Sequence, residues 1–387
     1  MASAIIDIDP GGDVLISVHG DRASNSGHAK MRVSRKVLIL HSDYFKALFS
    51  GRYKESNEKG ITLKEDSPIS IELWFRALHG NMIDAHYELP TKYVWETIQL
   101  AKKYDLCVQK LESWFAQWYE RLNIRTLALS DLVQLLLPCQ TFNHARGLAN
   151  VSARLARHCK GRIECVNRRA VDNQNFLTNA YLCTPDAINH ARTSIRRQIE
   201  HQLLNVLPKF CKNTCSAMAE SRSLYIDAIS LTGIWPLGNN SVSNNDILES
   251  KVMLDWNCAY PDDACKSCKE ILRGAHVFQL REGLKGYWQG LCLDCMDRSG
   301  FTTGETEREF WDYATANLWS RYCRVKHARN SWYFSFMGRS EQMSKWMKDN
   351  SWDREQKRKE RIYDALTEAL QNAVQEHANN NRQFGWT

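Results

Sequence analysis

Four cysteines in two Cys-x-x-Cys pairs constrain this chain more than any other feature of its sequence. Cys265 and Cys268 form the first pair, and Cys292 and Cys295 form the second. Each such turn directs two sulfur atoms towards one point, and four thiolates fill the tetrahedral shell of a zinc ion. Because a shell of four protein ligands leaves no position for water or substrate, we expect these residues to bind a structural zinc ion.

The expected localisation decides how the cysteines are interpreted. The N-terminus, MASAIIDIDPGGDVLISV, has no basic segment before an apolar stretch, and the chain nowhere places about 18 apolar residues in a row. We therefore expect a cytoplasmic and/or nuclear protein without membrane contact. Thiols stay reduced in those compartments, which favours metal binding over disulfide bonds. An all-disulfide scheme would also leave one of the 13 cysteines unpaired.

A redox site and free thiols are the alternatives to zinc. A thioredoxin-like Cys-x-x-Cys needs a strand before it and a helix after it, whereas YPDDACKSC follows a predicted loop and GLCLDCMDRSG ends in one. Between the two pairs we expect a hairpin, because this segment contains Gly283, Gly286 and Gly290. The side chains expected to pack that hairpin are Val277, Phe278, Tyr287 and Trp288.

A second metal site is a further hypothesis for this part of the chain. Cys211 and Cys215 are four residues apart, as are Cys323 and His327. Two ligands one helical turn apart can hold one metal ion, so these four residues form the candidate second site. The alternative is buried thiols and a hydrogen-bonded histidine, because free cysteine packs well as a small apolar side chain.

The first part of the chain predicts a small sheet followed by helices. In GGDVLISVHG an apolar run lies between glycines, which is typical of a strand, and a second strand is expected near residues 31–33. Ser42 and Ser67 each precede an amphipathic segment and are predicted N-caps, with Pro68 at the first helical position. This order indicates an α+β fold.

Four sequence blocks in this part resemble a known family. DVLISV, VSRKVL, SDYFKALF and ITLKEDSPISIELWFRALHG follow one another as in a BTB/POZ domain, which would cover residues 9–122. The family usually has histidine where Ser34 stands, before the basic Arg35. The resemblance implies a protein-interaction module that dimerises or binds the cullin scaffold of ubiquitin ligases.

Cullin binding in that family uses a turn of the form hydrophobic-x-Glu. In RYKES, Tyr53 and Glu55 stand at the matching place. The resemblance therefore implies that these two residues contact a cullin, and the alternative is an ordinary exposed loop.

Residues 123–210 are expected to form a basic helical region that is loosely similar to the BACK region of cullin adaptors. Between residues 123 and 200 there are 11 Lys and Arg against 5 Asp and Glu, most of the net charge of +7. Thr184 and Pro185 predict a helix start. Binding of nucleic acid is one interpretation of the charge, but we favour a solvated helix face, because no binding motif of interleaved aromatic and basic residues accompanies it. The apolar stripe of the predicted helix is Ile188, Ala191, Ile195, Ile199 and Leu203.

Residues 211–338 are the predicted zinc-binding module, and residues 339–387 a charged C-terminal helix and tail. The blocks IWPLG, GLCLDCMDRSG and SWYFSFMGRSEQ are similar to a group of fungal BTB proteins with a cysteine-rich C-terminal half. The basic cluster at residues 357–361 is a nuclear import signal or, as we favour, a solvated helix face.

The sequence predicts an interaction protein and not an enzyme. It contains no phosphate-binding loop, nucleophile elbow or His-Glu-x-x-His motif, and no repeat of kelch or ankyrin length. The main hypothesis is an adaptor or scaffold, in one version a substrate adaptor of a cullin ubiquitin ligase, that binds itself or a partner through the BTB domain. The alternative is a nuclear regulator whose basic region and zinc module bind nucleic acid or chromatin.

Overall fold

Alternation of apolar and polar residues builds a four-stranded sheet near the N-terminus. The strands are β1 (Ile5–Asp7), β2 (Val14–His19), β3 (His28–Val33) and β4 (Gly60–Lys64), in the order β1-β3-β2-β4. Strand β2 pairs antiparallel with β3 and parallel with β4, while β1 is parallel to β3. The fully buried Ile16 lies opposite Met31 on one side and Ile61 on the other, so one face of the sheet is apolar.

The computed structural model describes residues 5–20, 27–50, 60–164, 178–210, 215–235, 241–298 and 323–337. The chain divides into two compact units, residues 1–151 and residues 152–387. The first unit contains the sheet, and the described part of the second unit consists of helices and the segments that connect them.

Serine caps start two helices of the first unit as the sequence predicted. The Ser42 side chain accepts a hydrogen bond from the backbone N–H of Phe45 at 3.0 Å, and the Ser67 side chain accepts one from Ser70 at 3.4 Å. Pro68 is the first residue of the second of these helices. The helices up to residue 158 are α1 (Arg35–His41), α2 (Asp43–Leu48), α3 (Pro68–His79), α4 (Thr91–Lys103), α5 (Glu112–Arg121), α6 (Leu129–Thr141) and α7 (Ala145–His158).

The helices that follow residue 158 are mostly short. Within the described ranges, none combines the length and apolar character needed to cross a membrane. Together with the sheet they confirm the predicted α+β fold. They are α8 (Thr178–Leu204), α9 (Leu207–Phe210), α10 (Met218–Ser230), α11 (Asn244–Leu248), α12 (Lys251–Leu254), α13 (Lys266–Leu272), α14 (Ala275–Lys285), α15 (Leu293–Arg298) and α16 (Arg329–Met337).

The start of the long helix α8 differs from the prediction. The sequence placed the N-cap at Thr184, but α8 already begins at Thr178 and Pro185 lies inside it. A proline within a helix removes one backbone hydrogen bond without necessarily ending the helix, so proline alone does not locate a helix start. The predicted apolar stripe is confirmed, because all five of its side chains are buried. Helices α14 and α16 pack against α8.

The hairpin predicted between the two cysteine pairs is wrong. The end of helix α13 and the whole of α14 occupy most of that segment, and Phe278, a predicted packing residue, is 64% exposed. Val277, Leu280 and Leu284 are buried at a helical spacing of three and four residues. This period-3.6 pattern, rather than the glycines, determines the local structure.

Candidate metal centres

Seven described side chains form two clusters that can hold metal ions. Centre 1 consists of Cys215, Cys265 and Cys268. Centre 2 consists of Cys292, Cys295, Cys323 and His327. Within each cluster the ligand atoms all lie within 4.8 Å of one another.

The structure corrects the predicted grouping of these ligands. The sequence placed the pairs at Cys265/Cys268 and Cys292/Cys295 in one site, but they belong to different clusters. The candidate second site is also divided, because Cys215 lies in centre 1 whereas Cys323 and His327 lie in centre 2. Cys211, the fourth member of that site, lies outside the described residues. Centre 2 therefore joins two pairs that are consecutive in the chain, and the described part of centre 1 joins Cys215 to the pair Cys265/Cys268.

The atoms of centre 2 are spaced as a tetrahedral zinc shell requires. With Zn–S near 2.3 Å and Zn–N near 2.0 Å, such a shell has edges of about 3.8 Å between sulfur atoms and about 3.5 Å between sulfur and nitrogen. The Sγ atoms of Cys295 and Cys323 are 3.7 Å apart. His327 Nε2 lies 3.3 Å from Cys295 Sγ and 3.4 Å from Cys323 Sγ. These three distances therefore match the edges of a tetrahedral zinc shell to within about 0.2 Å.

A backbone contact orients the histidine of centre 2. His327 Nδ1 lies 3.1 Å from the carbonyl oxygen of Ala328, so Nδ1–H donates there and Nε2 is the ring nitrogen available to a metal ion. Metal-binding histidines commonly donate their second ring N–H to such a group, which fixes the tautomer and the ring orientation. Nε2 is the atom that faces the thiols.

Buried serine hydroxyls hold the backbone on which Cys292 sits. The backbone N–H of Cys292 donates to Ser335 Oγ at 2.7 Å, and that of Leu291 donates to Ser152 Oγ at 2.8 Å. Ser335 and Ser152 are completely buried. Because a buried amide without a partner costs about 1–3 kcal/mol, these bonds favour one conformation of the ligand-bearing segment.

An ion pair joins the two ligand segments of centre 2. Asp294, between Cys292 and Cys295 in the chain, accepts hydrogen bonds from the backbone N–H of Arg324 at 2.6 Å and from its Nε at 2.8 Å. The Nη2 atom of Arg324 lies 2.7 Å from the same carboxylate, and the Asp294 side chain is only 14% exposed. Arg324 directly follows Cys323, so this carboxylate fixes the position of a ligand.

The ionisable groups of centre 2 shift one another's pKa values. A hydrogen bond with Cys292 raises the pKa of Cys295 far above its usual range, and the same partner lowers that of Cys323 far below it. Burial alone would lower the pKa of His327, but hydrogen bonds with Cys292 and Cys323 raise it to about 10. Negative charge therefore collects on sulfur beside an imidazole, where a bound dication would be stabilised.

Centre 1 shows the local geometry of a metal-binding Cys-x-x-Cys turn. Backbone N–H groups of Cys268 and Ser267 donate to the Cys265 sulfur and lower the pKa of that thiol. Cys268 is completely buried, and burial raises its pKa to about 12. Its Sγ lies 3.7 Å from Cys215 Sγ, again close to a tetrahedral edge.

Comparison with known proteins identifies one part of the chain. The family model of the BTB/POZ domain matches residues 13–111, the part with strands β2 to β4 and helices α1 to α4. Residues 13–111 form a BTB/POZ domain. Searches of the curated proteins and of the solved structures find no match. The predicted similarity of the cysteine-rich half to fungal BTB proteins stays a prediction.

The BTB domain contains the predicted cullin-binding residues, but Tyr53 and Glu55 lie outside the described residues. Ser34, which replaces the usual histidine of the family, donates its backbone N–H to His79 Nε2 at 3.0 Å. His79 Nδ1 lies 2.7 Å from the Phe75 carbonyl oxygen and donates to it. The sequence did not indicate that His79 contacts Ser34. The spacing of four residues between Phe75 and His79 is ordinary within a helix and points to no function.

Proposed function

We propose that this protein is an interaction adaptor that binds a protein partner through its BTB domain. A second binding surface would lie on the second unit (residues 152–387), which contains both cysteine clusters and is called the cysteine-rich unit below. The family match at residues 13–111 carries this proposal, because BTB domains in general mediate protein–protein contact. The sheet and the capped helices of the first unit supply the scaffold for such a surface. The same match favours an interaction protein over an enzyme.

The specific version of the proposal is that the BTB domain binds a cullin. Tyr53 and Glu55 support it, because they match the hydrophobic-x-Glu turn that the family resemblance implies. In this version the BTB domain connects the chain to a ubiquitin ligase, and the cysteine-rich unit holds the substrate.

A binding measurement tests the cullin version on the full chain. Isothermal titration with a cullin N-terminal domain compares wild type with the double variant Tyr53→Ala, Glu55→Lys, and Ser56→Ala serves as a control in the same segment. We expect binding by wild type and the control and at least a tenfold loss in the double variant. Absence of wild-type binding would reject the cullin version. Light scattering on the same samples then determines whether the chain dimerises.

The alternative function, nucleic-acid binding by the basic region, receives less support from the side-chain contacts. Several of the arginines form hydrogen bonds with backbone carbonyl oxygens: Arg157 with Lys285 and Trp288, Arg192 with Lys160, and Arg196 with Val242. Arg162 pairs with Asp186 at 2.9 Å. The arginines bonded to backbone carbonyl oxygens contribute to packing, and the exposed Arg162 already has a carboxylate partner. Binding of DNA or RNA that weakens steeply with added salt would favour the nucleic-acid function instead.

We propose further that centre 2 binds a structural zinc ion. Three thiolates and one imidazole form a closed shell, of which Cys292 and Cys295 are buried. Zinc in such a shell contributes its binding free energy to folding. Elemental analysis of Cys295→Ser against Cys139→Ser, a buried cysteine outside both clusters, tests this. We expect loss of an ion in the first variant only.

A further inference from the structure

We infer that centre 1 binds a second zinc ion, independently of centre 2. This inference rests on the proposed zinc chemistry of the cysteine-rich unit. The two clusters share no ligand, and each has its own pair of chain segments. Loss of one ion therefore does not remove a ligand from the other.

The sulfur geometry of centre 1 supports a metal ion rather than three packed thiols. The separation of 3.7 Å between Cys215 Sγ and Cys268 Sγ equals the distance that joins Cys295 and Cys323 in centre 2. The sulfur atoms of Cys215, Cys265 and Cys268 all lie within 4.8 Å of one another, as the ligands of one ion must.

The surrounding elements converge on centre 1. Cys265 is the N-cap residue of α13, Cys215 lies just before α10, and these two helices pack against each other. Ser216 Oγ donates to Asp263 Oδ2 at 2.6 Å, which connects the residues beside the two ligand segments. Centre 2 has the same design, with Asp294 and Arg324 in the corresponding role. In each centre, a side-chain hydrogen bond or ion pair therefore connects the two chain segments that carry the ligands.

The three described thiolates fill three of the four positions of a tetrahedral shell. Within the described ranges, no further His, Cys, Asp or Glu side chain joins the cluster. Cys258 is described but is not a member, although it precedes Cys265 by only seven residues. Soft thiolate ligands favour zinc over magnesium or calcium.

Metal stoichiometry of the full chain tests the inference. Elemental analysis after purification without chelator compares wild type with Cys268→Ser in centre 1, Cys295→Ser in centre 2, and Cys258→Ser as the matched control. We expect two zinc ions per chain in wild type and in the control, one in each single variant, and none in the double variant.

The outcomes separate this inference from the zinc proposal for centre 2. One ion per chain in wild type, retained by Cys268→Ser and lost by Cys295→Ser, would overturn the second site and leave centre 2 intact. No zinc in wild type would reject both.

A second measurement covers the case in which the variants do not fold. Wild type loaded with ¹¹³Cd gives one NMR resonance per occupied centre. Two resonances of equal intensity support two sites, and the one from centre 2 is expected to lie in the range of three sulfur ligands and one nitrogen. A single resonance at full cadmium loading would contradict the inference.

Discussion

At the scale of single residues, the candidate metal ligands are positioned by neighbours that the Cys-x-x-Cys pattern does not reveal. Asp294 is the clearest case, because its carboxylate holds both the backbone and the guanidinium of Arg324, next to Cys323. Residues that hold a metal ligand in place in this way commonly affect the metal affinity of the site. Asp294 is a positioning residue and does not itself belong to the cluster.

We expect Asp294→Ala to weaken zinc binding at centre 2 by about 10- to 100-fold, the usual effect of losing an outer partner. Competition with a chelator of known zinc affinity measures this change. Asp186→Ala removes an ion pair with Arg162 that is exposed on both sides and serves as the control. Equal zinc affinity in the two variants would show that Asp294 does not position Cys323.

At the scale of secondary-structure elements, one glycine determines the joint between α13 and α14. Gly274 has a φ of +76°, in the left-handed region, and its amide bonds back to the Ile271 carbonyl oxygen. A Cβ atom at this position would lie 2.0 Å from Cδ1 of Trp256, whose indole N–H donates to the Leu272 carbonyl oxygen at 2.9 Å. Backbone conformation and packing both require glycine.

We expect Gly274→Ala to lower the free energy of unfolding by about 2 kcal/mol or more, because it adds backbone strain to a clash with a ring. Gly283→Ala is the matched control, since it lies within α14 with no atom within 4 Å of an added Cβ. Alanine there should be neutral or stabilising by up to about 1 kcal/mol. Chemical denaturation of both variants measures the difference.

Packing between α10 and α14 predicts a dependence of stability on pH. Tyr225 on α10 donates its hydroxyl to the Leu203 carbonyl oxygen at 2.8 Å and accepts from His276 Nε2 at 2.8 Å. Burial, with a smaller effect of the Lys209 charge, lowers the pKa of His276 from 6.5 to about 4. Between these values the unfolded chain binds more protons than the folded one, so protonation favours unfolding.

This contribution of His276 to stability is complete above pH 6.5 and is lost as the pH falls towards 4. His276→Gln keeps a donor for Tyr225 but cannot titrate, so its free energy of unfolding should fall less steeply over this range. Denaturant titrations at several pH values compare the wild type with the variant. Both proteins have the same two cysteine clusters, so any effect of pH on those clusters is common to both. If the free energies of unfolding of the two proteins changed in parallel with pH, His276 would not be the source of the pH dependence.

At the scale of the whole molecule, both units bury apolar residues, and we propose metal ions for the second unit only. The BTB domain buries apolar residues of its sheet and helices, including Ile16, Phe45 and Trp74. The second unit contains many short helices, and short helices depend on tertiary contacts for their stability. Both proposed zinc ions lie in this unit, where they would cross-link segments distant in the chain.

Removal of zinc should therefore destabilise the second unit and spare the BTB domain. In hydrogen exchange monitored by mass spectrometry, a strong chelator should increase exchange in peptides from residues 215–298 and 323–337 of the full chain. Peptides from residues 13–111 should exchange as before. An equal increase in both regions would contradict local stabilisation by the metal, and no increase in either would contradict a structural role.

Much of the first unit could be predicted because its signals are local. The N-caps at Ser42 and Ser67 and the proline at residue 68 depend on a few neighbouring residues, and the structure confirms all three. The BTB resemblance likewise depends on the order of short blocks, and the family match confirms it at residues 13–111. Ser34 could be recognised as a departure, but its contact with His79 could not, because 45 residues separate the two.

The sequence by itself determined which residue types can bind metal, because only cysteine and histidine at such spacings supply these ligands. The tertiary structure alone decided how they are shared between two centres. A hairpin between Cys268 and Cys292 would return the chain to its starting point and unite the two pairs. Helix α14 has 11 residues and spans about 16 Å, so it carries the second pair away from the first towards Cys323 and His327.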